Sequence, residues 1–232
     1  MDLHDSGGNG TPIVFLHAAT GHGGMWQHQL AAFTAAGYRC IAFDRSADDF
    51  ASDQVGEVAA KLELERFHLV GTAAGAIIAV DYTLTHAPRV RSLVIANSLV
   101  GVQDADYLEM SARLRPSPQF EKMPADFREL GPSYRAANAE GTKRWNELAQ
   151  AKPRIAYSVK NRITWAALET IKVPTLLLSG DADLYMPPSV LWLFAQRFPR
   201  CESTVLAECG HSAYWEQPEM FNRAVLEFLR KN

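Results

Sequence analysis

Short apolar runs recur along the chain, each followed by a longer stretch with helical spacing. Ile13-Val14-Phe15-Leu16, opened by Pro12 and closed by a glycine-rich loop, predicts a buried strand. Cys40–Phe43, Phe67–Val70, Leu93–Ala96 and Thr175–Leu178 predict four more, and Ser203–Leu206 a sixth. Between them Gly24–Ala36, Asp53–Glu65, Ala74–His86, Pro188–Phe198 and Pro218–Arg230 predict helices. Runs that are apolar throughout, rather than alternating, are strands covered on both faces. Strands of that kind separated by helices predict a parallel sheet in an α/β fold.

The alternation stops between Gly101 and Glu169. That stretch has no strong strand signal and carries Pro116, Pro118, Pro124, Pro132 and Pro153 between short helical pieces such as Asp104–Leu114 and Glu140–Ala149. It predicts a helical insertion over the carboxyl edge of the sheet. The expected division is a core formed by residues 1–100 and 170–232, with a helical cap insertion at 101–169. After Arg45 the chain is short, Ser46 running almost directly into Ala47-Asp48-Asp49-Phe50.

Composition narrows the function classes. The chain has 232 residues, 47% of them hydrophobic, with a net charge of −3 and a pI near 6.2. A chain of this length buries a substantial core without staples. It has no basic footprint for nucleic acid. A mean hydropathy of −0.13 and the lack of an 18-residue apolar run argue against a membrane span. Cys40, Cys201 and Cys209 are too few and too scattered for a disulfide framework or a zinc cluster. The polar, glycine-rich start, Met1–Gly10, contains no signal-peptide core. The expectation is a cytoplasmic protein with a small-molecule substrate, as a monomer or homodimer.

Ligands in open α/β sheets bind beyond the carboxyl ends of the strands, so the residues there are the candidates. The third predicted strand ends in Gly71-Thr72-Ala73-Ala74-Gly75 and then a helix. This is the Gly-x-Ser-x-Gly nucleophile elbow with alanine where the serine belongs. The fifth strand is followed by Gly180-Asp181-Ala182-Asp183 and the sixth by Gly210-His211-Ser212. The chain order elbow, acid, histidine suits nucleophilic acyl chemistry. The first strand is followed by His17-Ala18-Ala19-Thr20-Gly21, a loop able to offer N–H groups to an oxyanion.

With these motifs the chain resembles the α/β-hydrolase superfamily over nearly its whole length. The resemblance rests on Pro12–His17, Phe43–Ser46, Phe67–Gly75, Pro174–Pro187 and Gly210–Pro218. It implies Ala73 at the catalytic apex, Asp183 as the triad acid with Asp181 as the alternative, and His211 as the base. It implies backbone N–H groups of Ala19 and Ala74 as the oxyanion hole, residues 101–169 as the family's cap, and neither metal nor organic cofactor. The implied function is hydrolysis of a small ester, lactone or carbon–carbon bond next to a carbonyl. Trp26, Tyr107, Tyr134, Trp145 and Trp165 are candidates to line the substrate pocket, with core packing as the competing reading.

Ala73 departs from the pattern at the decisive atom, because an alanine cannot form an acyl-enzyme. It reflects either an engineered serine-to-alanine change or a natural chain without the nucleophile. Thr72 points away from the apex, and Cys209 has no base arranged toward it. Two alternatives therefore stand beside an impaired hydrolase: a cofactor-free lyase or oxygenase with His211 as base, and a ligand-binding pseudoenzyme. His17 is expected to order its loop, His22 and His28 to be solvated, and Trp192 and Phe194 to belong to the core.

Overall fold

A computed structural model describes residues 2–46, 50–98 and 100–232. The segment Ala47–Asp49, which includes most of the short stretch after Arg45, lies outside the described residues.

Seven strands form one sheet: β1 (Leu3–Asp5), β2 (Pro12–Leu16), β3 (Arg39–Phe43), β4 (Phe67–Thr72), β5 (Val90–Ala96), β6 (Thr175–Gly180) and β7 (Cys201–Leu206). Their spatial order is β1-β3-β2-β4-β5-β6-β7. Every pairing is parallel except β1 with β3. The six predicted strands are all present, each within three residues of its predicted start. β1 is an addition: three residues in the polar N-terminus, paired Leu3↔Phe43 to Asp5↔Ile41 and tied down by Asp5, which accepts from Arg39 Nε at 3.0 Å.

The strands are apolar on both faces because helices cover both. Along β2, Ile13 and Phe15 point to one side, packing with Phe33 of α1 (Gln27–Ala35) and with Phe221, Val225 and Phe228 of α11 (Pro218–Leu229). Val14 and Leu16 point to the other, packing with Val55 and Val58 of α2 (Ala51–Lys61), Ile78 of α3 (Ala74–His86) and Leu191 of α9 (Pro188–Ala195). This period-two split is the pleat of a doubly covered parallel sheet. A 3₁₀ turn at Gly23–Trp26 precedes α1, so the single helix predicted over Gly24–Ala36 is two pieces. α3 is buried along almost its whole length, which fits its near-continuous apolar sequence.

Between β5 and β6 the described chain holds no strand but five α-helices, α4 (Ala105–Leu114), α5 (Ala125–Glu129), α6 (Pro132–Ala137), α7 (Ala139–Gln150) and α8 (Trp165–Glu169), and a 3₁₀ turn at Phe120–Lys122. Pro132 opens α6 at its first turn, where its missing N–H costs nothing. The remaining helix, α10 (Ala213–Glu216), is a single turn after the histidine loop. No helix among the described residues is long and apolar enough to cross a membrane.

Candidate active site

The turn from β4 into α3 is built around Ala73, whose backbone sits at φ 49° and ψ −116°. A non-glycine residue in that region costs about 1–3 kcal/mol and persists only when its surroundings impose it. Here Ala73 N–H donates to Ala96 O at 3.0 Å, and Ser98 Oγ donates to Ala73 O at 2.7 Å. The flanking glycines are steric requirements. A Cβ on Gly75 would lie 2.1 Å from Leu16 O, and one on Gly71 would lie 2.6 Å from Ala76. The elbow is therefore intact as a backbone device although its apex carries only a methyl group.

Facing the apex, the loop after β7 carries His211. Its Nδ1–H donates to Asp183, 2.9 Å from each carboxylate oxygen, so that in the neutral ring Nε2 is the unprotonated nitrogen and can act as a base. Of the two candidate acids, Asp183 is the one hydrogen-bonded to the histidine. Asp181 instead accepts from Cys209 N–H at 3.3 Å and is exposed. Asp183 also receives Tyr185 N–H at 2.8 Å, Met186 N–H at 3.0 Å, Asn97 Nδ2 at 3.1 Å and Ser179 Oγ at 3.2 Å. Burial alone would push its carboxyl up. The imidazole of His211 and these donors outweigh burial and hold it below the ordinary carboxylate value. For His211 burial opposes the charged ring, but the charge and hydrogen bond of Asp183, with Glu129 and Glu216 nearby, raise it above the ordinary histidine value. The Tyr185 ring lies 4.5 Å from the imidazole, centroid to centroid, and limits its rotation.

The loop after β2 completes the floor. His17 is buried and neutral, its pKa pushed down to about 3 by burial and by Arg45. It donates from Nδ1 to Ala18 O at 2.7 Å and accepts Arg45 N–H at Nε2. Arg45 Nη2 donates to Ala18 O at 2.9 Å. The Ala18 carbonyl is thus taken up within the fold, and Ala19 and Ala74 both line the cavity. Ala74 is the first residue of α3, where an N–H has no partner inside the helix. His17 thus orders its loop, as its sequence context suggests.

Together these residues border a cavity of about 200 Å³, which Ala18, Ala73, Ile77, Ser98, Tyr185 and His211 also line. From the segment between β5 and β6 come Arg115, Glu121, Glu129, Arg154 and Tyr157.

The five aromatic candidates lie elsewhere. Trp26 is fully buried against Phe15 at 5.2 Å and Tyr214 at 4.9 Å. Tyr107 and Trp165 pack on each other at 5.3 Å and on Phe194 of α9. Trp145 is buried in the cluster with Leu130 and Tyr214, and Tyr134 packs on its edge. Large apolar rings in a small helical segment are consumed in fixing it to the sheet domain. The aromatics that do line the cavity are Tyr157 and Tyr185. Trp192, expected in the core, is exposed on the outer side of α9. Thr72 is buried at the end of β4. Burial raises the Cys209 thiol far above its ordinary value, and its Sγ turns to Leu206 O. Neither replaces the missing nucleophile.

Sequence reasoning also missed three positioning residues. Asn97, at the end of β5, donates to both Asp183 and Gly210 O and could have been found by inspecting every strand end. Ser98 follows it. Glu216, one turn after His211, accepts N–H from Gly210 at 3.0 Å, Ser212 at 3.2 Å and Gly131 at 2.7 Å. It ties the histidine loop to the segment before α6. Glu216→Ala leaves three buried donors without their acceptor. The expected loss is roughly 3 kcal/mol, or about 6–12 °C in Tm for a chain of this size. Calorimetry checks this, and a Tm within about 2 °C of the parent would show that the three contacts are dispensable.

Set against known proteins, residues 13–224 match the family model described as the alpha/beta hydrolase family. The chain belongs to the alpha/beta hydrolase family. Relatives within it act on different molecules. The 2-hydroxy-6-oxononadienedioate/2-hydroxy-6-oxononatrienedioate hydrolase of Burkholderia vietnamiensis is 27% identical, covering 100% of this chain and 91% of that protein. Its alignment spans 276 positions, more than the 232 residues of this chain, so this chain carries gaps against it. A putative non-heme bromoperoxidase of Mycobacterium tuberculosis is 28% identical, covering 97% and 96%. A thermophilic esterase from Thermogutta terrifontis shares the fold at a TM-score of 0.83 and 22% identity, covering 99% of this chain and 93% of that one.

Proposed function

We propose that this alpha/beta hydrolase hydrolyses a small ester or lactone by general-base attack of water, without an acyl-enzyme. One observation carries the reading: His211 Nε2, backed by Asp183, faces a cavity whose elbow apex is a methyl group. A serine hydroxyl removed from that position leaves room for a water beside the same base. The 101–169 segment serves as the cap, and the small cavity beneath it suits a small molecule rather than a polymer.

The steps follow from the groups present. The substrate carbonyl oxygen points at the N–H groups of Ala19 and Ala74. His211 Nε2 takes a proton from water as the water oxygen bonds to the carbonyl carbon. The N–H groups hold the oxyanion that forms, and Asp183 stabilises the imidazolium. Collapse breaks the bond to the leaving oxygen, which receives the proton from Nε2.

This chemistry needs a neutral His211. Its pKa is raised, so the protonated, inactive form persists above the ordinary histidine value. In a pH profile of kcat/KM for a p-nitrophenyl ester, activity rises with pH through a single acid limb whose midpoint lies above about 6.5. A flat profile from pH 5 to 9 would remove His211 from the reaction.

A further inference from the structure

The cap segment delivers one acid into the site. Glu129, the last residue of α5, is 8% exposed. Its Oε2 lies 4.0 Å from His211 Nε2, on the side of the ring opposite Asp183. That separation is too long for a direct hydrogen bond. Among the described residues no hydrogen bond reaches the Glu129 carboxylate. Its neighbour Arg128 turns away, donating to Tyr185 Oη at 2.6 Å and Met123 O at 3.1 Å. Burial pushes the Glu129 carboxyl up, with Asp183 adding to the push, while His211, Arg128 and Arg154 oppose it.

With the ring neutral, two acceptors face each other at the cavity: Nε2 and a carboxylate oxygen, 4.0 Å apart. A single donor with two hydrogens satisfies both. A water about 2.8 Å from each holds its acceptors roughly 4–4.5 Å apart, which matches the separation found. Both groups and Ala73 border the same cavity.

We infer that Glu129 and His211 together hold the attacking water, Glu129 accepting the hydrogen that His211 does not remove. This deepens the general-base reading proposed above and rests on it. One O–H bond of the water breaks, its proton passing to Nε2, and the freed electron pair forms the bond to the carbonyl carbon. The second O–H stays bound to the Glu129 oxygen and fixes the direction of the lone pair. Glu129 is then a catalytic residue that acts on water, with no part in attack by a protein hydroxyl.

That distinction sets the test. Glu129→Gln and Glu129→Ala are each made in the parent chain and in Ala73→Ser, and stopped-flow traces on a p-nitrophenyl ester separate the acylation burst from the water-dependent steady state. In the parent chain both variants are expected to lower kcat about 10- to 100-fold with little change in KM. In Ala73→Ser they slow the steady state by a similar factor while the burst rate changes less than about threefold. Equal slowing of burst and steady state, or no slowing of either, would overturn the assignment. An Ala73 chain without His211-dependent hydrolysis would sink the general-base reading alone, because the split in the serine background still reports on Glu129. Should Glu129→Ala fail to fold, Glu129→Gln, which keeps the shape, decides the question.

Discussion

Ala73→Ser is expected to raise hydrolysis of a p-nitrophenyl ester by about 10³-fold and to create a burst stoichiometric with enzyme. The backbone that presents the residue is already strained into place, held by Ala96 O and Ser98 Oγ, so the substitution adds a hydroxyl without rebuilding the turn. The base and its acid are oriented, with His211 Nδ1 2.9 Å from Asp183. Loss of the triad serine from a protease costs about 2 × 10⁶ in kcat. The gain expected here is smaller because, under the proposed general-base mechanism, His211 already activates water in the parent chain. A factor of 10³ corresponds to about 4 kcal/mol of transition-state stabilisation. Stopped-flow absorbance reads both the burst and the rate. A folded serine variant with neither would mean that the elbow no longer aims its apex at the base.

His211→Ala is expected to cut the parent chain's turnover by roughly 10²–10⁴-fold, the range a positioned general base contributes. The N–H groups of Ala19 and Ala74 remain, so some rate above buffer survives. The fold should tolerate the change. Asp183 loses the imidazole but keeps Tyr185 N–H, Met186 N–H, Asn97 and Ser179 as donors. Initial rates with matched circular dichroism spectra check this. Unchanged turnover would place the chemistry on another residue.

The sheet was legible in the sequence because its strands are covered on both faces, and a continuous apolar run such as Leu93–Ala96 has no other stable home. The elbow, Asp183 and His211 were legible because strand ends in an α/β fold are where chemistry collects. β1 escaped because three residues in a polar segment carry no periodicity; an ion pair from Asp5 to Arg39 and three register pairs hold it. The aromatic candidates show a different limit. Position along the chain, after the first strand's loop or within the expected cap, made Trp26, Trp145 and Trp165 pocket candidates, but only packing tells whether a ring faces ligand or core. Here the core takes them, and the smaller or charged residues Ile77, Arg115 and Glu129 line the site instead. Glu129 had no signature at all. It stands 4.0 Å from His211 because α5 ends there, a consequence of tertiary placement and not of any local pattern.

Hydrolysis without a covalent intermediate is tested most directly by intact-protein mass spectrometry during steady-state turnover. The parent chain should release product at a His211-dependent rate while its mass stays unmodified, whereas Ala73→Ser gains one acyl group. An acyl adduct on the parent chain, or product formed no faster than in buffer, would contradict attack by water.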